Sequence, residues 1–329
     1  MMLWSFLLVV GGLAVLLFSG DLLVRGAVAL ARSVRIPPLI IGLTVVAFGT
    51  SAPELFIGID AAIIGGEALG IALGNVVGSN IANVLLVLGL PALIAATMSK
   101  QNTIRRNTII MIAASLVFVA LCLDGRQLTF LDGAMLFGLI LIFLLWSAMR
   151  ARRARRLPDD LGEMAELDAL SGLPRRLPVI LICIVVSLIG LPLGAHMIVK
   201  GGTELARAAG VAPSVIGLSL VAIGTSLPEL ATTVVAAMRK HSAVALGNVI
   251  GSNLFNLLAI MGVTAMVSRH PIPIEGRILN MDLWIMLASS AVVLFYVALH
   301  RPIGRLSGVL FLGAYGAYLA FLFVNGEVG

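Results

Sequence analysis

Cysteine and histidine are scarce in this 329-residue chain, with two of the first and four of the second. Cys122 and Cys183 lie in or beside apolar runs, far from the close spacing of a disulfide framework or a metal cluster. Soft metals therefore find no ligand set here. Charge is scarce too: 12% of residues are charged and 60% hydrophobic, with a mean hydropathy of +1.10. No water-soluble domain hides that much apolar surface in one core, so the chain reads as an integral membrane protein. The formal net charge of +6 does not point to nucleic acid, because its distribution matters more than its sum.

What is present is a series of long apolar runs. A helix needs roughly 20 apolar residues to cross about 30 Å of hydrocarbon. The runs predict ten spans, near 3–30, 37–64, 69–97, 105–123, 128–149, 178–206, 212–238, 243–268, 282–299 and 304–324. Strand alternation is weak, which favours an all-α integral membrane fold over a barrel. The first run carries no basic residue before Arg25 and is longer than a signal-peptide core, so it reads as a span.

With ten spans, sixteen basic residues fall on one side: Arg32, Arg35, Lys100, Arg105, Arg106, seven arginines between Arg150 and Arg176, Arg239, Lys240, Arg301 and Arg305. Arg126, Arg207, Arg269 and Arg277 fall on the other. The positive-inside rule makes the first side cytoplasmic and both termini extracytoplasmic, in a multi-pass protein of the plasma (inner) membrane. The longest connection, residues 149–177, reads as a basic cytoplasmic linker between residues 1–148 and 178–329. His241, His270 and His300 read as loop residues, and Trp284 and Tyr296 as interfacial aromatics.

The chain repeats itself. "GLTVVAFGTSAPEL" at 42–55 matches "GLSLVAIGTSLPEL" at 217–230 in 10 of 14 positions, at an offset of 175. "LGNVVGSNIANVL" from Leu73 matches "LGNVIGSNLFNLL" from Leu246 in 9 of 13, at an offset of 173. Five crossings separate equivalent positions, so the second five-helix copy is inverted relative to the first. Inverted repeats with interrupted helices point to a secondary transporter whose site lies where the copies meet.

Each copy puts a proline and a glutamate inside an oily run. A buried carboxylate costs on the order of 2.5–3.5 kcal/mol and needs compensation. Pro53 and Pro228 lack an amide hydrogen, which frees the carbonyls around Gly49 and Gly224 and loosens those around Ala47 and Ala222. Thr50, Ser51 and Glu54 then offer hydroxyl and carboxylate oxygens on one helical face. Hard cations such as Ca2+ take such all-oxygen sets. Glu54 and Glu229 together carry two negative charges, which one Ca2+ or two Na+ neutralise. In the second block Gly74, Gly78, Gly247 and Gly251 allow close helix approach. Ser79, Asn80, Asn83, Ser252, Asn253 and Asn256 supply neutral oxygens.

The paired "GTSxPEL" and "GNVxGSN" motifs resemble the α-repeats of the cation/calcium antiporter superfamily, most closely its prokaryotic sodium/calcium exchangers, along essentially the whole chain. The resemblance implies four ion sites in a diamond. It implies Glu54 and Glu229 as ligands shared by calcium and sodium, with Thr50 and Thr225 beside them and carbonyls from Ala47 and Ala222. It places Ser51 and Ser226 on the same turn, Ser79 and Ser252 at outer sodium sites, and Asn83 and Asn256 at the middle. Several relatives carry aspartate at one middle position, whereas this chain has asparagine at both. That departure leans against a potassium requirement and leaves the stoichiometry open.

The expected function is antiport of Ca2+ against Na+ by alternating access, with spans one and six sliding, no cofactor, membrane lipid as surroundings and no nucleic-acid partner. Proton/calcium exchange is the alternative, with H+ exchanged at the same glutamates. In a different class, paired glutamates serve an intramembrane hydrolase, but that chemistry needs unlike environments for acid and base. The chain therefore reads as a transporter and not an enzyme.

Overall fold

A computed structural model describes residues 2–97, 102–154, 174, 176–209, 222–274 and 276–326. The described chain is almost entirely helical. In order come α1 (Met2–Val34), α2 (Pro38–Thr50), α3 (Ala52–Ile64), α4 (Glu67–Leu85), α5 (Gly89–Ile94), α6 (Asn102–Leu123) and α7 (Phe130–Ala154). After the linker come α8 (Leu177–Ala208), α9 (Ala222–Gly224), α10 (Leu227–Met238), α11 (Ser242–Val267), α12 (Ile278–Ala298) and α13 (Arg305–Gly326).

Among the described residues eight helices are long and apolar enough to span a membrane, and the bent pair α2–α3 makes a ninth. The tenth expected span ends in α10, a shorter apolar helix, and its first half falls at 210–221, outside the described residues. Most of the 149–177 linker also lies outside them.

Proline sets where helices begin. Pro38, Pro53, Pro178 and Pro228 each stand in the first turn of α2, α3, α8 or α10, where a missing N–H costs nothing. The α3–α4 turn needs glycine: Gly65 and Gly66 have φ of 75° and 59°, a region that L side chains enter at a cost.

Burial is deepest in two helices. In α11, 83% of the most apolar window is buried, and in the α4–α5 span 72%; in α1, α7, α8 and α13 the shares are 33%, 28%, 28% and 28%. The large core, with Leu73, Phe118, Leu136, Leu246, Leu258 and Met286, gathers the other helices around α4 and α11. A smaller cluster, with Leu16, Leu23, Ile184 and Leu191, is formed largely between α1 and α8. These two helices touch backbone to backbone. A Cβ on Gly12 would stand 2.8 Å from the Gly194 carbonyl oxygen, and one on Gly194 2.8 Å from that of Gly12.

The loops carry the inverted repeat independently of the motifs. Leu128 in β1 (Gln127–Leu128) pairs with Ile272 in β2 (Ile272–Pro273), and Thr97 bridges Ile303. A shift of 175 turns Thr97 into the position of Ile272 and Leu128 into that of Ile303. Each pairing is thus the image of the other, one at each end of the helices.

Candidate functional site

The second span breaks at Ser51, whose φ of −87° and ψ of 7° leave the helical region and bend the chain by 46° between α2 and α3. Pro53 follows two residues later. The second copy breaks at the same place, with Ser226 at φ −86° and ψ 0° before α10. Glu54 and Glu229 therefore stand in the first turns of α3 and α10, where the half-helix dipoles favour negative charge. Both side chains are 1% exposed. The two breaks meet through Ser51, three residues before Glu54, which bonds Glu229.

The two breaks differ in one respect. The Ser51 N–H still donates to the Ala47 carbonyl at 3.0 Å, so that carbonyl is less bare than the proline alone implies. The Ser226 N–H instead donates to the Ile223 carbonyl at 3.0 Å, one residue past Ala222.

The copies interlock through hydroxyls and amides. Ser51 Oγ donates to Glu229 Oε1 at 2.9 Å. Thr50 Oγ1 lies 3.3 Å from both the Ala47 carbonyl and Asn248 Oδ1. Its repeat image is Thr225 Oγ1, 3.4 Å from Asn75 Oδ1. Asn248 Nδ2 donates to Thr233 Oγ1 at 3.1 Å and to the Glu229 carbonyl at 3.4 Å, and the carbonyl, which only accepts, fixes which way that amide points. Asn83 Nδ2 donates to Asn253 Oδ1 at 3.0 Å, across the two copies. Asn75 and Asn248 were missed by sequence reasoning, although the motif quotes them twice at equivalent positions. Ser79 and Ser252 are buried on α4 and α11, and Asn256 sits in a π-helical stretch, Phe255–Ile260. Such stretches recur at functional sites.

Unfilled polar atoms mark this region. Ten buried side-chain N or O atoms lack a hydrogen-bond partner among the described residues, and eight belong to these motifs. Seven of the eight are oxygens: Glu54 Oε2, Glu229 Oε2, Ser226 Oγ, Ser252 Oγ, Asn80 Oδ1, Asn83 Oδ1 and Asn256 Oδ1. An unmet buried polar atom costs about 1–3 kcal/mol, and so many unmet oxygens on the paired motifs fit a bare hard cation. The broken turns face α8: a Cβ on Gly49 would strike Leu188, and one on Gly224 would strike Val199.

The sodium/calcium exchanger protein family profile matches residues 4–149 and again 179–324. The chain belongs to the sodium/calcium exchanger family. It is 36% identical over 325 residues to the inner membrane protein YrbG of Escherichia coli, covering 98% of each chain. It is 30% identical over 348 residues to the sodium/calcium exchanger MaX1 of Methanosarcina acetivorans, covering 97% of this chain and 98% of that one. Its fold matches a solved structure of the sodium-calcium exchanger NCX_Mj, soaked with zero Na+ and Ca2+, at a TM-score of 0.82 and 29% identity; the match covers 98% of this chain and 100% of that one. Its family and structural neighbours are transporters, and this exchanger-family chain is a multi-pass cation/calcium antiporter.

Proposed function

We propose that the chain exchanges Ca2+ for Na+ at a midplane site built on Glu54 and Glu229. The observation that carries this reading is that one glutamate from each inverted copy is buried among unfilled oxygens, with Ser51 of one copy bonded to Glu229 of the other. Thr50, Thr225, Ser51 and Ser226 line the two breaks, and Ala47 and Ala222 add carbonyls. Ser79 and Ser252 serve outer sodium positions, and Asn83 and Asn256 the middle. Two negative charges accept one Ca2+ or two Na+, so the ions compete for the same oxygens rather than sharing them.

The packing is compatible with exchange by alternating access. α1 and α8 hold each other at Gly12 and Gly194, and α8 lies over the broken turns at Gly49 and Gly224, a placement that suits their movement as a pair. Residues 1–148 and 178–329 form the inverted halves, joined by a cytoplasmic linker, with both termini outside the plasma (inner) membrane. The test is calcium-45 flux into proteoliposomes under an imposed Na+ gradient, then under a proton gradient alone. Sodium-driven flux, lost in Glu54→Gln and Glu229→Gln proteins that fold normally, is expected. Full flux from the proton gradient without Na+ would assign H+ as the counter-ion instead.

A further inference from the structure

Away from the glutamates, Arg106 of α6 and Arg150 of α7 both lie over the ring of Trp146, with guanidinium carbons 4.7 and 5.1 Å from its centroid. Two cations that share one indole stand within about 10 Å of each other. Among the described residues neither forms an ion pair with a carboxylate. Arg106 Nε is buried and has no hydrogen-bond acceptor. A close like-charged pair with an unfilled donor is completed by an anion, and guanidinium forks suit phosphate oxygens. The indole is held in place by Phe143, whose ring centroid is 6.4 Å away and which is itself buried.

What kind of phosphate fits is set by the surface leading away from Arg150. Leu131, Met135, Ile142, Leu145 and Met149 are exposed at steps that keep them on one face of α7. Gly138 falls in the same stripe, and no described atom lies within 4 Å of where its Cβ would stand. At 1.5 Å per residue, Gly138 is about 18 Å from Arg150. One leaflet of a bilayer core is about 15 Å deep. A lipid tail that starts at the arginines would follow the stripe and end over the gap at Gly138. Tryptophan and arginine at one depth also mark the headgroup level.

We propose that Arg106, Arg150 and Trp146 bind the phosphate of an anionic phospholipid whose acyl chain lies along the exposed face of α7. This site is independent of the ion-exchange reading. Each arginine that reaches the phosphate should add about 1 kcal/mol of attraction, which is about fivefold in binding. The purified full-length protein, delipidated in detergent, is titrated with phosphatidylglycerol, with phosphatidylcholine of the same chains, and with inorganic phosphate. Bound lipid is counted by native mass spectrometry and thermal midpoint is followed in parallel.

The expected result is preferential retention of phosphatidylglycerol, reduced about fivefold in Arg150→Gln and about 25-fold in Arg106→Gln/Arg150→Gln, with phosphatidylcholine unaffected. Arg105→Gln, a neighbouring charge off the indole, should leave the preference within about twofold. If the double variant does not fold, the exposed Arg150→Gln single variant decides. Equal retention of both lipids by the parent overturns the proposal, as does a preference that survives loss of Arg150 or falls equally in Arg105→Gln. Inorganic phosphate that stabilises as much as phosphatidylglycerol also overturns it, in favour of a site for the free ion.

Discussion

Replacing Gly251 by alanine adds one methyl group where α11 crosses α2. That Cβ would stand 2.6 Å from the Ala47 Cβ, 2.7 Å from the Leu43 carbonyl oxygen and 2.9 Å from the Leu43 Cα. None of these is the end of a flexible side chain. Carbon contacts are comfortable at about 3.5–4.0 Å, so the two helices must part by roughly 1 Å. Overpacking of this kind costs about 1–3 kcal/mol, which lowers the thermal midpoint. The consequence for ions is larger. α2 carries Ala47 and Thr50, and α11 carries Asn248, Ser252 and Asn256. Calcium ligands sit at about 2.3–2.6 Å, so a 1 Å separation removes oxygens from the coordination shell. Calcium affinity should fall at least about tenfold, or about 1.4 kcal/mol. The assay pairs calcium-45 flux with thermal unfolding, and Gly316→Ala is the control because no described atom lies within 4 Å of its Cβ position. A Gly251→Ala protein that melts and transports like the parent would refute the claim that this crossing sets the site.

Ser51→Ala removes the 2.9 Å hydrogen bond to Glu229, which at about 1.5–3 kcal/mol for a charged acceptor predicts weaker Ca2+ binding by about tenfold or more. Ser226→Ala, whose hydroxyl has no protein partner among the described residues, should cost less; equilibrium binding compares the two. Asn248→Leu leaves the Thr50 and Thr233 hydroxyls without their amide at a fully buried position, and should lower stability by about 1–3 kcal/mol, read from thermal or denaturant unfolding. His241, in the turn before α11, is pushed below the usual imidazole pKa by burial and then by the Arg239 charge. The folded chain takes up this proton less readily than the unfolded one. Stability therefore holds above the ordinary value of about 6.5 and declines as pH falls through the lower folded-state value. His241→Gln should flatten that decline in unfolding midpoints measured between about pH 5 and 7.5.

The helices and the duplication were legible because each rests on a signal local to the chain: apolar length and a near-identical pair of motifs. The position of each break was legible as well, because a proline acts on its own neighbours. Contacts between the copies were not. That Ser51 reaches Glu229 while the hydroxyl of Ser226 finds no partner among the described residues depends on how two nearly equivalent segments pack, and equivalent sequences cannot announce such a difference. Nor did spacing disclose that Asn75 and Asn248 reach the threonines of the opposite copy. The motif's glycines divided in the same way. Gly247 and Gly251 press against Leu39 and Leu43, as close approach requires. Their counterparts Gly74 and Gly78 meet no described residue. His241, expected in a loop, lies in one but is half-buried, with its backbone N–H donated to the Ala236 carbonyl at 2.8 Å.

The central claim is that carboxylates from the two copies hold one cation together. Equilibrium binding of calcium-45 to the purified protein, with increasing Na+, tests it without transport or a gradient. We predict one Ca2+ per chain, displaced by Na+ and lost in either Glu54→Gln or Glu229→Gln. Undiminished calcium binding in both variants, or binding indifferent to Na+, would contradict it.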